Sequence, residues 1–154
     1  MAIFKWDNRA RSGIQSNVKT DLPIEPKHDA ARIYGLSTGP GPSGIAEAVE
    51  RIGASHAMNG CHRLMQLLTF VVDAALHGEA EHLKETTIGV AVFGRSPDYD
   101  PKVDTIVRSQ AWRLRAKLRK YYATEGANDP VVIDVPVGHY VPVFHARDEV
   151  EIGK

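Results

Sequence analysis

A single cysteine, Cys61, stands among the 154 residues. One thiol cannot close an internal disulfide, so a disulfide-stapled secreted scaffold is excluded. No run approaches the roughly 18 consecutive apolar residues that a membrane-spanning helix needs. The opening stretch, Met1 to Trp6, lacks the charged-then-apolar layout of a secretory signal. These absences predict a cytoplasmic chain in a reducing compartment, with no membrane partner. Net charge is missing too: 19 basic and 19 acidic side chains cancel.

The zero total hides an uneven distribution. Residues 1–44 carry 6 basic and 4 acidic groups, and residues 45–94 carry 3 and 6. Residues 95–122 carry 8 and 3, and residues 123–154 carry 2 and 6. The excess positive charge is concentrated in one stretch. A neutral chain with one basic element still attracts a polyanion, because binding responds to local potential.

Organisation follows from the proline and glycine pattern. Leu22 to Pro26 and Ser37 to Gly44 are rich in both residues, which disfavour helices and central strands. Residues 1–44 are therefore read as an extended arm and linker, 45–146 as the folded domain, and 147–154 as an acidic tail. From Ile45 the chain becomes periodic. Ser43 is the predicted cap of a first helix with Ile45, Val49 and Ile52 on one face, ending at Gly53. A second helix is predicted from about Gly60 to Leu76, with Leu64, Leu67, Leu68, Val71 and Ala75 facing the core. A third, shorter one begins near Lys84–Thr87, buries Ile88, Val92 and Phe93, and stops at Gly94. After the turn Arg95–Lys102, a fourth is predicted from about Asp104 to Thr124. Val131, Ile133 and Val135 alternate as a strand does, and Tyr140 to Phe144 form the return strand of an edge hairpin.

The fourth helix carries the chemistry. Val107, Ala111, Leu114, Leu118 and Tyr121 fall on its core face. Arg108, Trp112, Arg115 and Arg119 share another face, flanked by Ser109, Arg113 and Lys120. A B-DNA major groove admits one α-helix, and arginine suits both phosphates and guanine edges. Gln110 suits adenine, and Ser109 either role. A solvated charged face is the plain alternative. The order helix–turn–helix–hairpin favours DNA.

Several segments then resemble a known family. Leu83 to Arg95, Tyr99–Pro101, Val107–Arg108, Arg113 to Leu118 and Tyr121–Tyr122 look like a DNA-binding module found at the N-terminus of some bacterial repeat proteins and cyclases. That module is similar to the effector domain of OmpR/PhoB-type response regulators. The hairpin Val131 to Phe144, with Gly138–Tyr140, looks like its wing with one inserted residue. The resemblance covers roughly residues 55–145.

It implies a mainly α winged helix-turn-helix fold and a bacterial transcription regulator that binds specific double-stranded DNA. It implies DNA contacts by Lys84, Thr86 and Thr87 at a helix start, by Arg108, Ser109, Gln110, Trp112, Arg113 and Arg115, and by His139 or Tyr140 on the wing; Arg119, on the same helix face, is a further candidate by its position. In the response regulators the loop before this helix touches RNA polymerase. Asp98, Tyr99 and Asp100 are the matching candidates here. Trp112 is bulky where the family usually has a small or basic residue. The family's N-terminal four-stranded sheet and receiver are not evident, so a stand-alone binder is expected, as a homodimer or as tandem copies on DNA. The alternative is a winged-helix protein-interaction module that uses Trp112.

Other chemistries find little support. Asp98, Asp100 and Asp104 lack the glycine and terminal glutamate of a calcium loop. His56, Cys61 and His62 match no structural zinc spacing. No nucleophile–base–orienter set is marked, and the glycines 39, 41 and 44 alternate with prolines that cannot donate to phosphate. No enzyme activity, metal or cofactor is expected.

Overall fold

A computed structural model of the chain describes residues 39–147; the predicted arm to residue 38 and the tail from residue 148 lie outside them. Among the described residues four helices are followed by a two-stranded antiparallel hairpin: α1 (Pro42–Gly53), α2 (His62–Leu76), α3 (Glu85–Phe93), α4 (Ile106–Ala123), β1 (Val131–Asp134) and β2 (Val143–Ala146). A single 3-10 turn, Ala80–His82, precedes α3. This is the mainly α order expected from the sequence.

The start of α1 differs from expectation. Gly41 is the N-cap and Pro42 the first helical residue, so Ser43 lies inside the first turn. Proline fits there because its ring pre-sets φ and its missing N–H would have had no partner in the helix. The linker therefore ends earlier than residue 44. Ile45, Ala48 and Ile52 are buried from α1, one turn apart along one stripe. α2 buries Leu64, Leu67, Leu68, Val71, Val72 and Ala75 and packs against α1, α3 and α4, so it is the centre of the core. Gly78, at φ +75°, then reverses the chain, and the Glu79 N–H bonds back to the Ala74 carbonyl at 2.8 Å.

α3 reads poorly as an isolated helix. Thr86, Thr87, Ile88, Val90 and Val92 are β-branched, and Gly89 sits mid-helix. Such residues lower helix propensity, so packing must hold the segment. Ile88, Gly89 and Phe93 supply that packing. Gly89 has a second reason: a side chain there would overlap the Tyr99 ring and hydroxyl. Gly94 adopts the left-handed conformation, φ +67°, that ends the helix.

α4 buries Val107, Ala111, Leu114, Leu118 and Tyr121, the core face expected from its periodicity. The hairpin pairs Ile133 with Phe144 and Asp134 with Val143. Val131, Ile133, Val135 and Phe144 face the core. β1 packs on α1 and α4. The return strand starts at Val143, not at Tyr140 as expected. Pro142 has no N–H for a ladder bond and is fully buried instead. No helix among the described residues is long and apolar enough to cross a membrane.

Candidate nucleic-acid interface

The outer face of α4 is set by its core face. With Leu114 and Leu118 turned inward, Arg108, Ser109, Trp112, Arg113, Arg119 and Lys120 are left exposed. Gln110 is half-buried at the margin. Among the described residues no carboxylate pairs with Arg113 or Arg119. Trp112 is 67% exposed. It takes no part in the Tyr121–Tyr122 aromatic pair or in the contact of Arg63 over Phe93.

Two of the predicted site arginines are engaged inside the molecule. The Arg115 Nε donates to the Val135 carbonyl at 2.7 Å, and its second nitrogen to the carbonyls of Pro136 and His139 at 3.2 and 3.1 Å. One guanidinium thus holds the loop joining β1 and β2 against α4. Arg108 donates through Nε to Glu85 at 2.9 Å and through a terminal nitrogen to the Pro101 carbonyl at 2.6 Å. Glu85 also accepts from the Tyr140 hydroxyl at 3.4 Å. The Tyr99 hydroxyl donates to the Glu85 backbone carbonyl at 2.9 Å. Burial first, and the Glu85 charge second, push the Tyr99 and Tyr140 hydroxyls up from their ordinary range, so both stay protonated donors.

Glu85 therefore joins three elements: its own helix start, α4 and the segment leading into β2. Lys84, the N-cap of α3, and Thr86 and Thr87 in its first turn are exposed beside it. Lys84 makes no side-chain cap, so the first amides of α3 point outward without a partner from it. Such a terminus favours an anion. Arg108 offsets the Glu85 charge that would otherwise oppose one. His139 is exposed in the hairpin loop, and its Nδ1 accepts from the Val141 amide at 3.1 Å.

The acidic loop is folded onto the domain more than its sequence suggests. Asp98 accepts from the Ser96 hydroxyl, which lowers its pKa. Tyr99 is half-buried against α3. Asp100 accepts from the Lys102 amide at 2.9 Å. Asp104 closes the loop: it takes the Arg95 Nε at 2.6 Å and the Ile106 amide at 3.1 Å, and the Arg95 bond foremost lowers its pKa. Val103 beside it is 81% exposed. His56, Cys61 and His62 border one open recess at the α1–α2 loop. Among the described residues no three His, Cys, Asp or Glu side chains gather to hold a metal.

Sequence reasoning missed Glu85 as a hub and Arg115 as a clasp. It also missed Glu125, whose carboxylate caps the His56 and Ala57 amides at 2.9 and 3.1 Å. A first-turn glutamate is a visible signal, but partners 20 or more residues away leave no local pattern. Comparison of the chain with protein-family models, with curated proteins and with solved structures finds no match.

Proposed function

We propose that the chain is a winged helix-turn-helix protein that binds specific double-stranded DNA in bacterial transcription control. α4 is the recognition helix, α3 the helix before it, and the hairpin the wing. One observation carries this reading. Glu85, Arg108, Arg115 and Tyr140 tie the α3 start and the hairpin loop to α4, whose free face bears Arg113 and Arg119, without carboxylate partners among the described residues. A basic helix flanked by two backbone-gripping elements matches the way such proteins meet a duplex.

Roles divide accordingly. Ser109, Gln110, Trp112, Arg113 and Arg119 face the groove. Lys84, Thr86, Thr87 and the first amides of α3 hold a phosphate. His139 meets the backbone from the wing. Arg115 positions the wing and does not itself reach DNA, and Arg108 and Tyr140 are shared with Glu85. A single recognition helix covers limited surface, so dimers or tandem copies bind, and Asp98 and Asp100 remain available to RNA polymerase. No cofactor or catalytic step enters.

Fluorescence anisotropy on a random duplex of about 25 base pairs tests this. Binding with a log–log salt slope near −3 to −5 supports it, the value for about three to six neutralised phosphates. No binding at low salt, even at tens of micromolar protein, removes it. The exposed Trp112 then favours the second reading, a winged-helix adaptor for another protein.

A further inference from the structure

We infer that Trp112 reads the 5-methyl group of thymine in the major groove. The inference rests on the DNA-binding reading above and adds its base chemistry. Trp112 lies four residues after Arg108 and three before Arg115, spacings that share one helix face. Arg108 is fastened to the α3 start, and Arg115 to the hairpin loop. The indole therefore stands on the strip of α4 between the two elements that grip the backbone. It is 67% exposed and has no aromatic or cationic partner among the described residues.

A duplex offers few groups that an indole can bury against. Phosphates and most base edges present only charge, donors or acceptors. The thymine methyl is the apolar group of the major groove, and apolar side chains contact it there. The flanking Arg113 and Arg119, without carboxylate partners among the described residues, favour a polyanion over an apolar protein pocket at this position.

The test starts by selecting bound sequences from a random 25-base-pair library with the whole chain. Each thymine of the selected duplex is then replaced by deoxyuridine, which removes the methyl alone. At least one replacement weakens wild-type binding about fourfold, the worth of one buried methyl-sized group. Trp112→Ala binds the thymine and uracil duplexes equally, within about 1.5-fold, and keeps the wild-type salt slope and melting temperature. Trp112→Phe keeps part of the discrimination. A selected duplex on which every replacement is silent overturns the inference and leaves DNA binding standing. So does a methyl effect that survives in Trp112→Ala. A library that yields no bound duplex overturns both.

Discussion

Arg113 and Arg115 are two positions apart on α4 and have opposite surroundings. Arg113 is exposed and has no ion-pair partner among the described residues, while Arg115 is half-buried and spans three carbonyls of the hairpin loop. Arg115→Ala leaves those acceptors without their donor, which costs about 1–3 kcal/mol of stability. Thermal melts will show the loss, and Arg115→Lys will recover little of it, because one ammonium cannot reproduce the planar fork. Arg113→Ala, at an exposed site, shifts stability by less than about 0.5 kcal/mol. It weakens duplex binding instead. If both variants melt alike, the clasp has no structural role. Gly89 offers a second contrast at this scale. A Cβ there overlaps Tyr99, so Gly89→Ala must displace the ring and break its bond to the Glu85 carbonyl, at about 1–3 kcal/mol. Adding Tyr99→Ala removes the clash. The double variant then gains from the better helix propensity of alanine, and its cost is smaller than the sum of the two single costs. Strict additivity in denaturant melts would refute the contact.

At the scale of elements, the helices were legible because burial imposes a period on the sequence. The five core residues expected of α4 are the five that are buried, and the stripe of α2 holds likewise. Element ends were less legible where competing signals stood together. Ser43 is the N-cap expected from the sequence, but Pro42 fits the first turn and moves the cap back to Gly41. The return strand is shortened by a proline whose effect depends on its pairing register. Least legible were the bonds between elements, since neither Glu85 nor Arg115 has its partner nearby in sequence. Tyr122 belongs with these. Its hydroxyl accepts the Ile133 amide at 2.9 Å and donates to the Val131 carbonyl at 3.3 Å, sewing the free edge of β1 to α4. Burial pushes this hydroxyl up to about 12, so it stays a donor across the physiological range. Tyr122→Phe strands both backbone groups at a partly buried edge, with an expected cost of about 1–3 kcal/mol. The Ile133 amide should then exchange hydrogen faster than the amides of α2. Unchanged protection at Ile133 would mean that the hydroxyl does not hold the strand.

Across the whole molecule, net charge is zero while individual carboxylates occupy unlike settings, so stability must vary with pH. Glu125 accepts the His56 and Ala57 amides, and the His56 bond foremost lowers its pKa from 4.5. Asp98 and Asp104 are lowered from 3.8, by Ser96 and Arg95 respectively. Asp73 moves the other way, raised by burial. A carboxyl with a depressed folded pKa binds protons more weakly in the native state than in the unfolded one. Its stabilisation is complete above the unfolded pKa and is lost as pH falls through the folded value. Asp73 contributes with the opposite sign, but three groups oppose it. The urea midpoint should therefore be flat from pH 7 to about pH 5 and fall steadily towards about pH 3. Glu125 joins the α1–α2 loop to the end of α4, so its share is separable by one substitution. Glu125→Gln keeps the size and removes the charge that both amides prefer. The variant should be less stable than wild type at pH 7. The gap should close as pH falls below 4.5, where the wild-type unfolded carboxyl takes up its proton. A gap of constant size from pH 7 to about pH 3 would show that the amides do not depend on the ionised carboxylate.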